Sequence, residues 1–132
     1  SLTEQEVEII DQTANIFRES MKAGCTGCRY CMPCPVNVDI PTCLQFYDSY
    51  HMFKDRQAKM FYLFSNSGLA SGKESFASQC INCGKCLKKC PQHIEIPKLL
   101  KETKKQFEGI MKRPLLWFFK KIFMKRKKRR SQ

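Results

Sequence analysis

No apolar run in this chain reaches the length of a bilayer span. No stretch has the charged, apolar and small-residue order of a secretory signal peptide. Nothing alternates apolar and polar residues as a half-buried strand does. A glycine-rich nucleotide-binding motif is missing, and so is any grouping of acid and base side chains suited to catalysis. These gaps argue against a membrane-spanning protein, a strand-built domain and an enzyme. Acid is missing from one end. From Lys112 onward there are ten Lys or Arg residues and no Asp or Glu, while the preceding part carries 14 basic and 12 acidic side chains. Most of the net charge of +12 therefore belongs to the tail, and the preceding part carries little of it.

What the chain has in excess is cysteine, nine in 132 residues. Eight of them fall in two tight runs. CTGCRYCMPCP holds Cys25, Cys28, Cys31 and Cys34 ahead of Pro35, and CINCGKCLKKCP holds Cys80, Cys83, Cys86 and Cys90 ahead of Pro91. The second is C-x2-C-x2-C-x3-C-P, the run that holds a 4Fe–4S cluster in bacterial ferredoxins. The first differs only in a last gap one residue shorter. Cysteines every third residue can reach three corners of a cubane, and the fourth then points away and ligates the other cluster. The expected ligands are Cys25, Cys28, Cys31 and Cys90 for cluster 1, and Cys34, Cys80, Cys83 and Cys86 for cluster 2. Gly27 and Gly84 lie inside the loops, where a missing side chain lets backbone approach the inorganic sulfides. Paired C-x2-C motifs also suit zinc. A structural zinc-binding or nucleic-acid-binding module is thus the alternative, although four close cysteines exceed what one such site draws from one loop. Disulfides fit worse, because nine is odd and close cysteines in a turn are poorly placed to bridge. Thiolates kept free of disulfides point to a reducing, cytoplasmic compartment.

The chain repeats itself. CPVNVDIP, from Cys34 to Pro41, is echoed by CPQHIEIP, from Cys90 to Pro97. Each copy reads as cysteine loop, short extended exit, then a helix with proline in its first turn. Residues 3–22 carry a Thr3-x-x-Glu6 capping box and an apolar stripe at Val7, Ile10, Ala14, Phe17 and Met21. Residues 41–64 predict one bent helix or two, broken by the polar run Lys54 to Lys59. Their aromatics, Phe46, Tyr47, Tyr50, Phe53, Phe61, Tyr62 and Phe64, are expected to pack the core and the clusters. Residues 65–73 predict a loop, 74–79 a short helix, and 97–111 a basic amphipathic helix using Leu99, Leu100, Phe107, Ile110 and Met111. The expected fold is all-α: a ferredoxin-like domain over 1–111, with two pseudo-symmetric cysteine loops flanked by helices, and a basic amphipathic tail over 112–132.

The strings CTGCRYCMPCPVNVDIP and CINCGKCLKKCPQHIEIP resemble the C-terminal iron–sulfur domain of a branch of the aldo/keto reductase family. The likeness covers roughly residues 3–103. It implies two 4Fe–4S clusters and an excised or stand-alone version of that domain, which passes electrons to a redox partner or to a parent catalytic domain. The family's catalytic barrel has no counterpart here, so only the eight cysteines carry over. Helical two-cluster domains of heterodisulfide reductase and succinate dehydrogenase subunits are similar by the same cysteine logic.

Other residues are assigned blander roles. Cys43 is expected to be a buried free thiol. His51 and His93 are expected in packing or at the surface, because the eight thiolates already complete both clusters. Arg29, Lys85, Lys88 and Lys89 lie in or beside the loops, and three of the four belong to the second run. In the tail, Leu115, Phe118, Phe119, Ile122 and Phe123 share one helical face, with Trp117 and Met124 beside it and KRKKRR following. That combination suits an anionic membrane surface, with the protein peripheral to it. The same face could instead dock on protein. Nucleic acid would use the charge but not the apolar side chains.

Overall fold

A computed structural model describes residues 1–69, 71–110, 114, 116–118 and 121–122. Among the described residues the structure is helical, with no strand. The helices are α1 (Glu4–Ser20), α2 (Ile40–Phe53), α3 (Gln57–Asn66) and α4 (Ile96–Phe107). Short 3₁₀ turns occupy Ala77–Gln79 and Leu87–Lys89.

Local signals start α1. The Thr3 hydroxyl accepts from the Glu6 amide, and the Thr3 amide donates to the Glu6 carboxylate at 2.8 Å. The bond from the Thr3 amide, and a second that the Thr3 hydroxyl donates to the same carboxylate at 2.9 Å, hold the Glu6 carboxyl below its usual range. The stripe of Val7, Ile10, Ala14, Phe17 and Met21 is not part of the core, however, and α1 buries none of its residues. An amphipathic pattern specifies that a face can be covered, not what covers it.

The stretch after Pro41 forms two helices. Lys54 takes a left-handed conformation, φ 51°, which ends α2. The break spans residues 54–56, narrower than the polar run suggested. Of the aromatics expected inside, Tyr47 and Tyr62 are buried and Phe46 and Tyr50 half-buried, whereas Phe53, Phe61 and Phe64 are exposed. These two helices carry more aromatic surface than one buried face can take.

Helix α4 pairs with α2, and each is the helix that follows a cysteine run. Phe107 is fully buried, with the rings of Tyr62, Tyr50 and Tyr47 at 5.1, 5.6 and 6.4 Å. Burying such a ring contributes about 1.5–3 kcal/mol. Tyr47 donates to Glu102 at 2.8 Å, and His51 pairs with Gln106 at 3.1 Å, so polar links close the same seam. Pro41 and Pro97 lie in the first turns, where no amide is needed. Helix α4 stops at Phe107 rather than running to residue 111, because Glu108 leaves the helix to bind Tyr62 and Ser78. Ile110 is consequently 97% exposed, not packed, and Met111 lies outside the described residues.

In the tail, residues 114, 116–118 and 121–122 are helical. Leu116 joins the core cluster, whereas Trp117, Phe118 and Ile122 are exposed. The Lys121 ammonium sits 4.6 Å from the Trp117 ring centre. Leu115, Phe119, Phe123, Met124 and the KRKKRR stretch lie outside the described residues.

Candidate metal centre

The two cysteine runs follow the same backbone track. Cys28 lies between left-handed Gly27 and Arg29, φ 71° and 63°, and Cys83 between left-handed Asn82 and Gly84, φ 56° and 72°. A turn then closes from the Met32 amide to the Arg29 carbonyl at 2.9 Å, and from the Leu87 amide to the Gly84 carbonyl at 3.1 Å. After the fourth cysteine, Asn37 and His93 are again left-handed, φ 60° and 54°, and their amides donate to the carbonyls of Cys34 and Cys90. Gly27 and Gly84 are therefore not structural twins: the partner of Gly27 is Asn82, and that of Gly84 is Arg29. Open space surrounds a Cβ at Gly27, so its glycine answers to the backbone conformation and not to crowding. This double reversal makes Cys28 and Cys83 the exposed members of their runs, while the other six are half-buried.

The runs enclose two adjoining hollows. One is lined by Cys25, Cys28, Cys31 and Cys90 with Leu44 and Ile96. The other is lined by Cys34, Cys80, Cys83 and Cys86 with Val36 and Leu100, and Cys31 also reaches it. Ile40 lines both. Each hollow thus combines three thiols of one run with the fourth of the other, on apolar walls. All nine cysteines are free. Among the described residues, no three His, Cys, Asp or Glu side chains converge closely enough to hold a single ion.

Burial raises the thiols of Cys25 and Cys86 and pushes Cys31 up to about 11. Neighbouring thiols add to this, Cys28 and Cys90 beside Cys25, and Cys80, Cys83 and Cys34 beside Cys86. Metal must displace those protons on binding. A donor set made of thiols alone, on apolar walls, suits soft iron–sulfur chemistry.

Cys43, His51 and His93 line neither hollow. Cys43 is fully buried, with its Sγ 3.8 Å from Asn66 Oδ1. Three further residues hold the chain just ahead of each run. The buried Asp48 carboxylate on α2 accepts from the amides of Ala23 at 2.6 Å and Gly24 at 3.1 Å. In the second repeat, the Tyr62 hydroxyl accepts from the Ala77 amide at 3.0 Å and donates to Glu108, whose carboxylate also accepts from the Ser78 amide at 3.0 Å. Sequence reasoning passed over Asp48 and Glu108 and expected Tyr62 only as a packing aromatic. An acid set in the aromatic stretch FYDSYHMF was the available signal for Asp48.

Neither the curated proteins nor the solved structures yield a match to this chain. The family model of the 4Fe-4S dicluster domain matches residues 24–95, which is more than half of the chain and spans both runs. With its cysteine runs and their hollows inside that stretch, the chain belongs to the 4Fe-4S dicluster domain family, whose chemistry is iron–sulfur electron transfer.

Proposed function

We propose that the chain carries two 4Fe–4S clusters, one per hollow, and serves as the electron-transfer domain of a larger oxidoreductase. The observation that carries this reading is the division of eight thiols into two sets of four, each completed by the other run's last cysteine. Cys25, Cys28, Cys31 and Cys90 would hold one cluster, and Cys34, Cys80, Cys83 and Cys86 the other. When bound, such clusters supply one-electron couples. The chain's own residues do the rest. Leu44, Ile96, Val36 and Leu100 keep water off the inner thiols. Exposed Cys28 and Cys83 turn one edge of each hollow outward, where a donor or acceptor could approach.

The strings around the cysteines support an aldo/keto reductase-type parent, and a redox protein or that parent domain would be the partner. Exposed Trp117, Phe118 and Ile122 beside Lys121, with the polybasic stretch that follows in sequence, support an anionic membrane surface as the tail's target. Among the described residues, no helix is long and apolar enough to cross a membrane.

Electron paramagnetic resonance of the anaerobically purified protein, treated with a strong reductant, tests the central reading. Two spin-coupled signals of reduced four-iron clusters are expected. A colourless protein, silent under these conditions and loaded with zinc, would overturn the reading.

A further inference from the structure

We propose that Asp48 is a positioning residue that also makes the first hollow the lower-potential member of an unequal pair. The inference rests on the reading that both hollows hold clusters. Asp48 places a buried carboxylate on the amides of Ala23 and Gly24, so its charge sits against the residue that precedes Cys25. The second repeat solves the same problem differently. There the neutral Tyr62 hydroxyl takes the Ala77 amide, and the Glu108 carboxylate takes the amide of Ser78, the counterpart of Ala23, while Gln79, the counterpart of Gly24, donates its amide to the Phe76 carbonyl and not to a carboxylate. Glu108 is also bound by the Tyr62 hydroxyl, which disperses its charge.

The cations reinforce the difference. Lys85 and Lys89 line the second hollow. Arg29 lines the first, but its guanidinium pairs with Asp39 at 3.4 Å, which offsets its charge. The first hollow is thus surrounded by more net negative charge than the second. Negative charge beside a cluster disfavours an added electron, and positive charge favours it. A single electron shared by the pair therefore resides in the second hollow, and the chain has a built-in direction. The backbone hydrogen bonds of Asp48 serve a second purpose, since they fix where Cys25 starts its loop.

Potentiometric titration followed by paramagnetic resonance tests this. Lys85→Gln should lower one midpoint more than the other, which identifies the second hollow, and that midpoint should be the higher of the wild-type pair. Asp48→Asn should raise the lower midpoint and leave the higher one in place. The expected shift is about tenfold in the reduced-to-oxidised ratio at fixed potential, which is 59 mV for a one-electron couple. Asp48→Glu keeps the charge and should keep the low midpoint. The inference is overturned if Asp48→Asn moves neither midpoint or moves both equally. It is also overturned if Lys85→Gln acts on the lower one. Should Asp48→Asn lose iron, Asp48→Ser, whose hydroxyl can still accept one of the two amides, takes its place with the same expected and overturning outcomes. Wild-type protein without labile sulfide would remove the cluster reading and this inference together, whereas two clusters in the opposite order would remove the inference alone.

Discussion

Tyr62→Phe removes one oxygen atom from the fully buried centre of the protein and leaves the ring where it is. The ring keeps its packing against Phe107 and Phe76, at 5.1 and 5.9 Å, so no cavity opens. What disappears is a three-way joint. The Ala77 amide loses its acceptor, and the Glu108 carboxylate loses the Tyr62 donor. An orphaned buried amide costs about 1–3 kcal/mol, and a hydrogen bond to a charged group is worth about 1.5–3 kcal/mol. Some recovery by water puts the sum at about 3 kcal/mol, equivalent to about a hundredfold in an opening equilibrium. The loss falls on the segment Ala77–Gln79 that leads into Cys80, and not on the first run. Holo protein challenged with an iron chelator should therefore bleach in two phases, with about half the iron leaving up to a hundredfold faster than in the wild type. Tyr30→Phe, at an exposed position, is the control and should change nothing. Uniform bleaching of all the iron, or wild-type kinetics in Tyr62→Phe, would refute the assignment of Tyr62 to the second loop.

Ligation should cross between the repeats: Cys34→Ser should damage the cluster held mainly by the second run, and Cys90→Ser the one held by the first, as read from which resonance signal changes. Burial pushes the Cys43 thiol well above its ordinary 9.0 and the Tyr62 phenol well above its ordinary 10.0. Both are protonated in the fold, so the stability they contribute is complete below the unfolded values and is lost as pH rises toward the folded ones. Denaturation midpoints should fall from about pH 9 upward, and Cys43→Ser should flatten that decline; a wild-type profile level to about pH 10.5 would contradict it. Leu116→Ala should cost about 2–5 kcal/mol of stability, because that side chain belongs to the core. Trp117→Ala with Phe118→Ser should instead spare stability and weaken binding to anionic vesicles, a binding that salt should also reduce.

The cysteine runs, their duplication and the helical class were legible because each rests on fixed local spacing. A thiol every third residue, a repeated Ile-Pro and a capping box announce themselves within a few positions. Asp48, Tyr62 and Glu108 were not legible, because their partners lie 25, 15 and 30 residues away and only the packed helices bring them together. The same holds for α1, whose stripe has helical period and yet covers nothing in the core. Arg29 concealed the symmetry of the loops, since arginine does not advertise a left-handed backbone, whereas asparagine at Asn82 was an available signal. Leu116 was overlooked because the tail's strongest face was read from Phe118 and Ile122, while burial selected the residue beside that face.

The central claim, one four-iron cluster in each hollow, is tested most directly by counting iron and acid-labile sulfide per chain after anaerobic purification. The account predicts about eight of each, since two full sets of four thiols are present. Zinc without labile sulfide, or only about four irons and four sulfides per chain, would contradict it.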